Sequence, residues 1–141
     1  MATNDTKKKI LIFSTAYYPF VGGAEVAVKE ITDRIGGVKN REPQSDLIAA
    51  RRQRNSPKIE KIGLVTVYRV GNFGALLNKL LLPFLGAFLA FRLYRTGNYF
   101  CLWGIMLTFG SGAGYIFNIL RTLSREKRIP IILTLQEGDS E

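Results

Sequence analysis

The sequence predicts an α/β protein with a mostly parallel sheet covered by helices on both faces. Short, near-continuous apolar runs recur along the chain, the pattern of strands buried on both faces rather than of strands with one wet side. Helical segments separate them and supply the crossovers that parallel pairing demands. The composition, 47% hydrophobic over 141 residues, supports a single sizeable core and leaves no room for two full domains.

The elements follow in order. Residues 10–13 form a short apolar strand, and the loop after it ends Pro19-Phe20-Val21-Gly22-Gly23 at the start of an amphipathic helix. Paired glycines permit positive φ and close approach of a ligand, and the helix N-terminus offers unpaired N–H groups, so an anion or sugar can sit there. Ala24, Ala27, Val28, Ile31 and Ile35 form the helix's apolar stripe, Glu25/Lys29 and Glu30/Arg34 are favourable pairs, and Gly36-Gly37 ends it.

A polar connection leads to a second strand at 46–50, which opens into a basic loop at 51–61. Residues 64–70 are β-branched and aromatic and close on Gly71-Asn72, which predicts a strand. Residues 75–94 read as helix, with Pro83 kinking it or marking its real start. A buried strand at 99–105, a tight connection at Gly110-Ser111-Gly112, a helix at 113–123 and a strand at 131–135 complete the order. In such sheets ligands bind beyond the carboxyl ends of the strands, which selects residues 14–23, 69–73, 103–112 and 136–141 as one rim.

Several chemistries are excluded. With no histidine and one cysteine, Ser-His-Asp and Cys-His catalysis and a structural zinc site all lack their parts, and no metal site is expected. Cys101 sits in an apolar run, reads as a buried, inert thiol and points to a reducing compartment. The polar start of the chain and the shortness of the apolar run after it give no secretion signal. The Gly-x-Gly-x-x-Gly spacing of a dehydrogenase is missing after the first strand, and no acidic residue closes the second.

The net charge of +9 comes from clusters at 7–9, Lys39/Arg41, Arg51/Arg52/Arg54, Lys58/Lys61 and 121–128. Such a surface favours anionic partners. Arg51, Arg52 and Arg54 with Tyr68 nearby raise nucleic acid as a partner, but no RNA or DNA motif accompanies them and none is expected. Residues 96–120 carry no charge, and 80–91 form a second uncharged run between Lys79 and Arg92. Glycines and Pro83 argue against spanning, whereas residues 76–91 suit the interface of an acidic membrane.

Lys9-Ile-Leu-Ile-Phe, Tyr18-Pro19-Phe20-Val21-Gly22-Gly23-Ala24-Glu25 and Ile129-Pro130-Ile-Ile-Leu-Thr134 together resemble the N-terminal domain of family 4 glycosyltransferases. The resemblance implies a Rossmann-like domain of a two-domain GT-B enzyme that transfers sugar with retention from a nucleotide-sugar to a saccharide or lipid-linked acceptor. It implies that residues 1–141 are the acceptor-side domain, incomplete at the C-terminus, and that the donor domain with its paired glutamates is absent. Alone, such a chain is expected to be inactive.

By the same resemblance Gly22 and Gly23 line the cleft near the donor phosphates. Glu25 fits the pattern too, although the helix dipole explains it independently. Trp103 and Gln136 stand where the family often has histidines. Trp103 is then a candidate to stack on a sugar, or else core, and Gln136, Glu137 and Asp139 are candidates to bind hydroxyls. No catalytic residue is assigned, and no cofactor beyond the nucleotide-sugar co-substrate is expected. The expected location is cytoplasmic, or peripheral at the inner face of a membrane; the rival is a basic membrane-surface protein without catalysis.

Overall fold

The computed structural model describes residues 8–18, 22–36, 45–105 and 109–135. Six strands form one sheet in the order β3-β4-β2-β1-β5-β6, and every neighbouring pair is parallel except β3 with β4. The chain runs β1 (Lys9–Phe13), α1 (Gly23–Gly36), β2 (Ser45–Ala50), β3 (Ile59–Ile62), β4 (Val65–Val70), α2 (Ala75–Thr96), β5 (Tyr99–Ile105), α3 (Phe109–Leu123) and β6 (Ile131–Thr134).

Helix α1 carries the chain from β1 to β2 on one side, whereas α2 and α3 carry it to β5 and β6 on the other. Right-handed crossovers in opposite directions put these helices on opposite faces. The strand period of two divides the core accordingly. Leu11, Phe13, Ile48 and Leu102 pack with Leu82, Ala90, Ala113 and Phe117 of α2 and α3. Ile12, Leu47, Val65, Val67 and Trp103 pack with Ala24 and Val28 of α1. Each fully buried side chain of this size contributes roughly 1.5–3 kcal/mol.

The expected α/β fold and element order hold, with five local corrections. First, the basic loop is shorter than expected, because Ile59–Ile62 pairs antiparallel with β4 through the turn Gly63-Leu64. Gly63 has φ +59°, the backbone state that the first position of such a turn requires. Second, α2 starts at Ala75 and runs unbroken through Pro83.

Third, Ser111 and Gly112 belong to α3 rather than to a connection. The reason is packing: a Cβ on Gly104 would lie 2.9 Å from that of Ser111, and one on Gly86 2.9 Å from that of Ala113. The small residues let β5, α2 and α3 approach closely.

Fourth, α1 turns Ala24, Val28 and Thr32 inward and leaves Ile31 and Ile35 exposed. Thr32 tolerates burial because its hydroxyl donates to the Val28 carbonyl at 2.8 Å. Lys29 pairs with Asp33 at 2.6 Å rather than with Glu25, and this hydrogen bond raises the Lys29 pKa above the ordinary lysine value.

Fifth, the charge clusters are not uniformly solvated. Arg121 is buried: its guanidinium donates to the Lys127 carbonyl, pairs with Glu126 at 2.7 Å and stacks 4.0 Å over the Tyr94 ring. It clamps the segment before β6 onto α2 and α3. Cys101 is buried, as its apolar run implied, and burial raises its thiol pKa. Residues 1–7, 37–44 and 136–141, with Gly37, Lys39 and Arg41, lie outside the described residues.

Candidate functional site

The strand order reverses direction at β1, with β2 on one side and β5 on the other, so the crevice rule points to the carboxyl ends of these strands. The described part of that rim comprises residues 14–18, 22 and 23, the loop at 51–58 and the turn at 71–74. Pro19, Phe20 and Val21 and the β5–α3 connection lie outside the described residues.

Gly22 and Gly23 stand at the start of α1, as the sequence implies, but neither has positive φ; Gly23 is the first residue of the helix. Glu25 turns back so that its Oε2 accepts the Gly22 N–H at 2.7 Å. That occupies one of the donors expected to face an anion, and it gives Glu25 the structural role that its place in the first turn suggests. Trp103 is 8% exposed beneath α1, and its indole N–H donates to Thr134 Oγ1 at 2.7 Å. It joins β5 to β6, and its ring packs into the core. Gln136, Glu137 and Asp139 lie outside the described residues.

Arg69, which the strand ends already place on the rim, Arg51 of the basic cluster and Asn78, which the sequence did not single out, hold the rest of the rim together. Arg69, buried on β4, donates to the carbonyls of Tyr18 (2.7 Å) and Pro57 (3.1 Å) and pairs with Glu60 at 2.8 Å. One side chain thereby ties the loop after β1 to the loop after β2. Asn78, buried in the first turns of α2, donates to the Arg51 carbonyl at 2.7 Å and accepts the Phe73 N–H at 3.0 Å. Arg51 in turn donates to the Ser56 carbonyl at 3.0 Å, to Asn72 Oδ1 at 2.9 Å and to the Arg54 carbonyl. A lone asparagine in a leucine-rich helix was the available signal for this network.

The result is a row of cavities along the carboxyl ends of β1, β2 and β4. A 330 Å³ cavity lies between Thr15, Arg52, Leu76 and Lys79. A 270 Å³ cavity follows among Arg51, Arg52, Arg54 and Asn78. Among the described residues no acidic side chain lines either wall, and both walls carry basic side chains. Among the described residues no cluster of three or more His, Cys, Asp or Glu is placed to hold a metal.

Among solved structures, the sucrose-phosphate synthase of Thermosynechococcus elongatus superposes on 92% of this chain with a TM-score of 0.58. The match shows an α/β fold like that of one part of a GT-B glycosyltransferase. Sequence identity over the match is 14%, and the chain spans 33% of the synthase's length. No protein-family model matches the chain, and no curated protein matches it. The shared property is the sheet with its flanking helices, and with it the placing of a rim at the strands' carboxyl ends.

Proposed function

We propose that this chain supplies the acceptor-side, N-terminal part of a retaining glycosyltransferase of family 4 type, which transfers sugar from a nucleotide-sugar to a saccharide or lipid-linked acceptor. The observation that supports this reading is the superposition of nearly the whole chain on one third of a GT-B enzyme, with open cavities on the rim where such folds bind ligands. In this reading Gly22 and Gly23 border the cleft and Trp103 supports its floor. Gln136 and Glu137, which follow β6, meet the acceptor.

In this reading, as in the family the sequence resembles, the donor is held by a second domain, which supplies most of the hydrogen-bond donors and positive charge that departure of a nucleoside diphosphate needs. The 141-residue chain alone therefore turns nothing over. Nucleotide-sugar is a co-substrate and no further cofactor takes part; the protein works in the cytoplasm or at the inner face of a membrane. Sequencing the transcript past the Glu141 codon, and assaying both products with nucleotide-sugars, tests the reading. In-frame continuation into a second α/β domain, with transfer at retained anomeric configuration only by the longer protein, supports it. Transfer by the 141-residue chain alone would refute the division of labour.

A second reading, a basic membrane-surface protein without catalysis, is favoured by one observation. Helix α2 turns Leu76, Leu80, Phe84 and Phe88 to solvent, with Lys79, Arg92 and Arg95 beside them. A stop codon directly after Glu141 favours this reading.

A further inference from the structure

Two cavities of opposite character share a wall at the carboxyl end of β4. The 270 Å³ basic cavity described above is bordered by Gly71 and Asn72, and the same two residues border a neighbouring cavity of 410 Å³. The neighbour is lined chiefly by apolar groups, among them Val70, Phe73, Leu85, Phe88 and Leu89. Phe73 and Phe88 are 63% and 64% exposed, so its outer lip is apolar and open to solvent.

The basic cavity is built to keep its charge. All three acceptors of the Arg51 guanidinium are neutral groups, so its positive charge is held in the wall without being cancelled by a carboxylate there. Arg52 and Arg54 add to it, and Asn78 is 3% exposed with both amide atoms engaged, which fixes the floor. Guanidinium groups grouped around one small cavity match the several oxygens of a phosphate. The neighbouring wall also carries Lys58, Tyr68, Arg69 and Asn72, but its surface is chiefly apolar and suits a hydrocarbon chain.

We propose that the two cavities are one site for an amphiphilic phosphate, with the phosphate among Arg51, Arg52 and Arg54 and an acyl or isoprenoid chain along Phe73, Leu85 and Phe88. Under the glycosyltransferase reading this ligand is the acceptor, which narrows the acceptor class to a lipid phosphate. Binding itself requires no transfer and no second domain. Its failure would leave the transferase reading intact, and failure of the transferase assay would leave the binding result intact.

The test is titration of the 141-residue chain by calorimetry with dihexanoyl phosphatidic acid kept monomeric, with glycerol 3-phosphate and with dihexanoylglycerol. The lipid phosphate is expected to bind at least ~10-fold more tightly than either part alone, because charge and apolar burial both contribute. The double variant Arg52→Gln/Arg54→Gln weakens both phosphate ligands. Phe88→Ser, at an exposed position that leaves folding intact by circular dichroism, weakens the lipid phosphate and not glycerol 3-phosphate.

Equal affinity for glycerol 3-phosphate and the lipid phosphate overturns the joint site, as does indifference of the lipid phosphate to Phe88→Ser. Absence of saturable binding overturns it outright. Binding to phosphatidic-acid vesicles without binding to the monomeric lipid overturns it as well, since recognition then belongs to a bilayer surface.

Discussion

Tyr99 donates its hydroxyl proton to Asp46 inside the core, with Lys9 3.6 Å from the same carboxylate, whereas the Tyr17 hydroxyl is buried with no acceptor among the described residues. The two phenols should therefore respond oppositely to loss of the oxygen. Tyr99→Phe leaves a buried carboxylate without its donor and should lower unfolding free energy by about 1–3 kcal/mol. Tyr17→Phe removes an unsatisfied polar atom and should be neutral or stabilising by up to about 1 kcal/mol in urea titrations. Both phenols are also held above the ordinary value of 10.0, Tyr17 chiefly by burial, and Tyr99 by burial and then by its hydrogen bond to Asp46. The folded chain keeps these protons where the unfolded chain loses them, so their contribution is fully present below about pH 10 and is lost as pH rises beyond it. Tyr17→Phe should flatten that alkaline decline; an unchanged slope in the variant would count against this account of Tyr17.

Helices α2 and α3 cross where Gly86 meets Ala113, with room for no further methyl group between them. Gly86→Val should force the helices apart and lower stability by about 1–3 kcal/mol or more, read as a fall in the urea midpoint, while Gly23→Ala, at open space on α1, should not. A Gly86→Val protein as stable as the parent would show that the crossing is loose. The same crossing explains what the sequence did and did not disclose. Strands β1, β2, β4 and β5 and the run of helices were legible because apolar runs and β-branched residues report burial on both sheet faces directly. Gly110-Ser111-Gly112 read as a turn because glycine marks both a turn and a close approach, and only the position of α2 separates the two. Strand β3 was hidden because Ile59-Glu60-Lys61-Ile62 is a short edge whose polar residues resemble a loop. At the rim, Gly22 and Gly23 were found through a local pattern. Arg69 fell within the rim that the strand ends select and Arg51 within a basic cluster, but their roles and that of Asn78 were not legible, since they depend on partners from separate elements: Tyr18 and Pro57, Phe73 and Arg51, Ser56 and Asn72.

Helix α2 is long and apolar enough to cross a membrane, with mean hydropathy 1.6 over its most apolar stretch. Yet Asn78, Leu82, Gly86, Ala87 and Ala90 are buried, so in this fold α2 covers the sheet instead. Its opposite side carries an apolar stripe, Leu76, Leu80, Phe84 and Phe88, at intervals of one helical turn, and the +9 chain places Lys79, Arg92 and Arg95 along the same helix. Apolar residues that enter the headgroup region beside basic residues that meet anionic lipid are the two requirements for interfacial binding, and neither alone is strong. Each lysine or arginine near an anionic leaflet contributes about 1 kcal/mol, an attraction confined to roughly 10 Å at 0.1 M salt. The chain should therefore float with vesicles that contain phosphatidylserine and should be released by high salt. Phe84→Ser, which lies outside both rim cavities, should weaken flotation without altering the urea midpoint, because Phe84 is 65% exposed. Flotation that is equal on neutral vesicles and insensitive to salt would sink the electrostatic half of this argument. Flotation unchanged by Phe84→Ser would sink the apolar half, and the stripe would then need another partner.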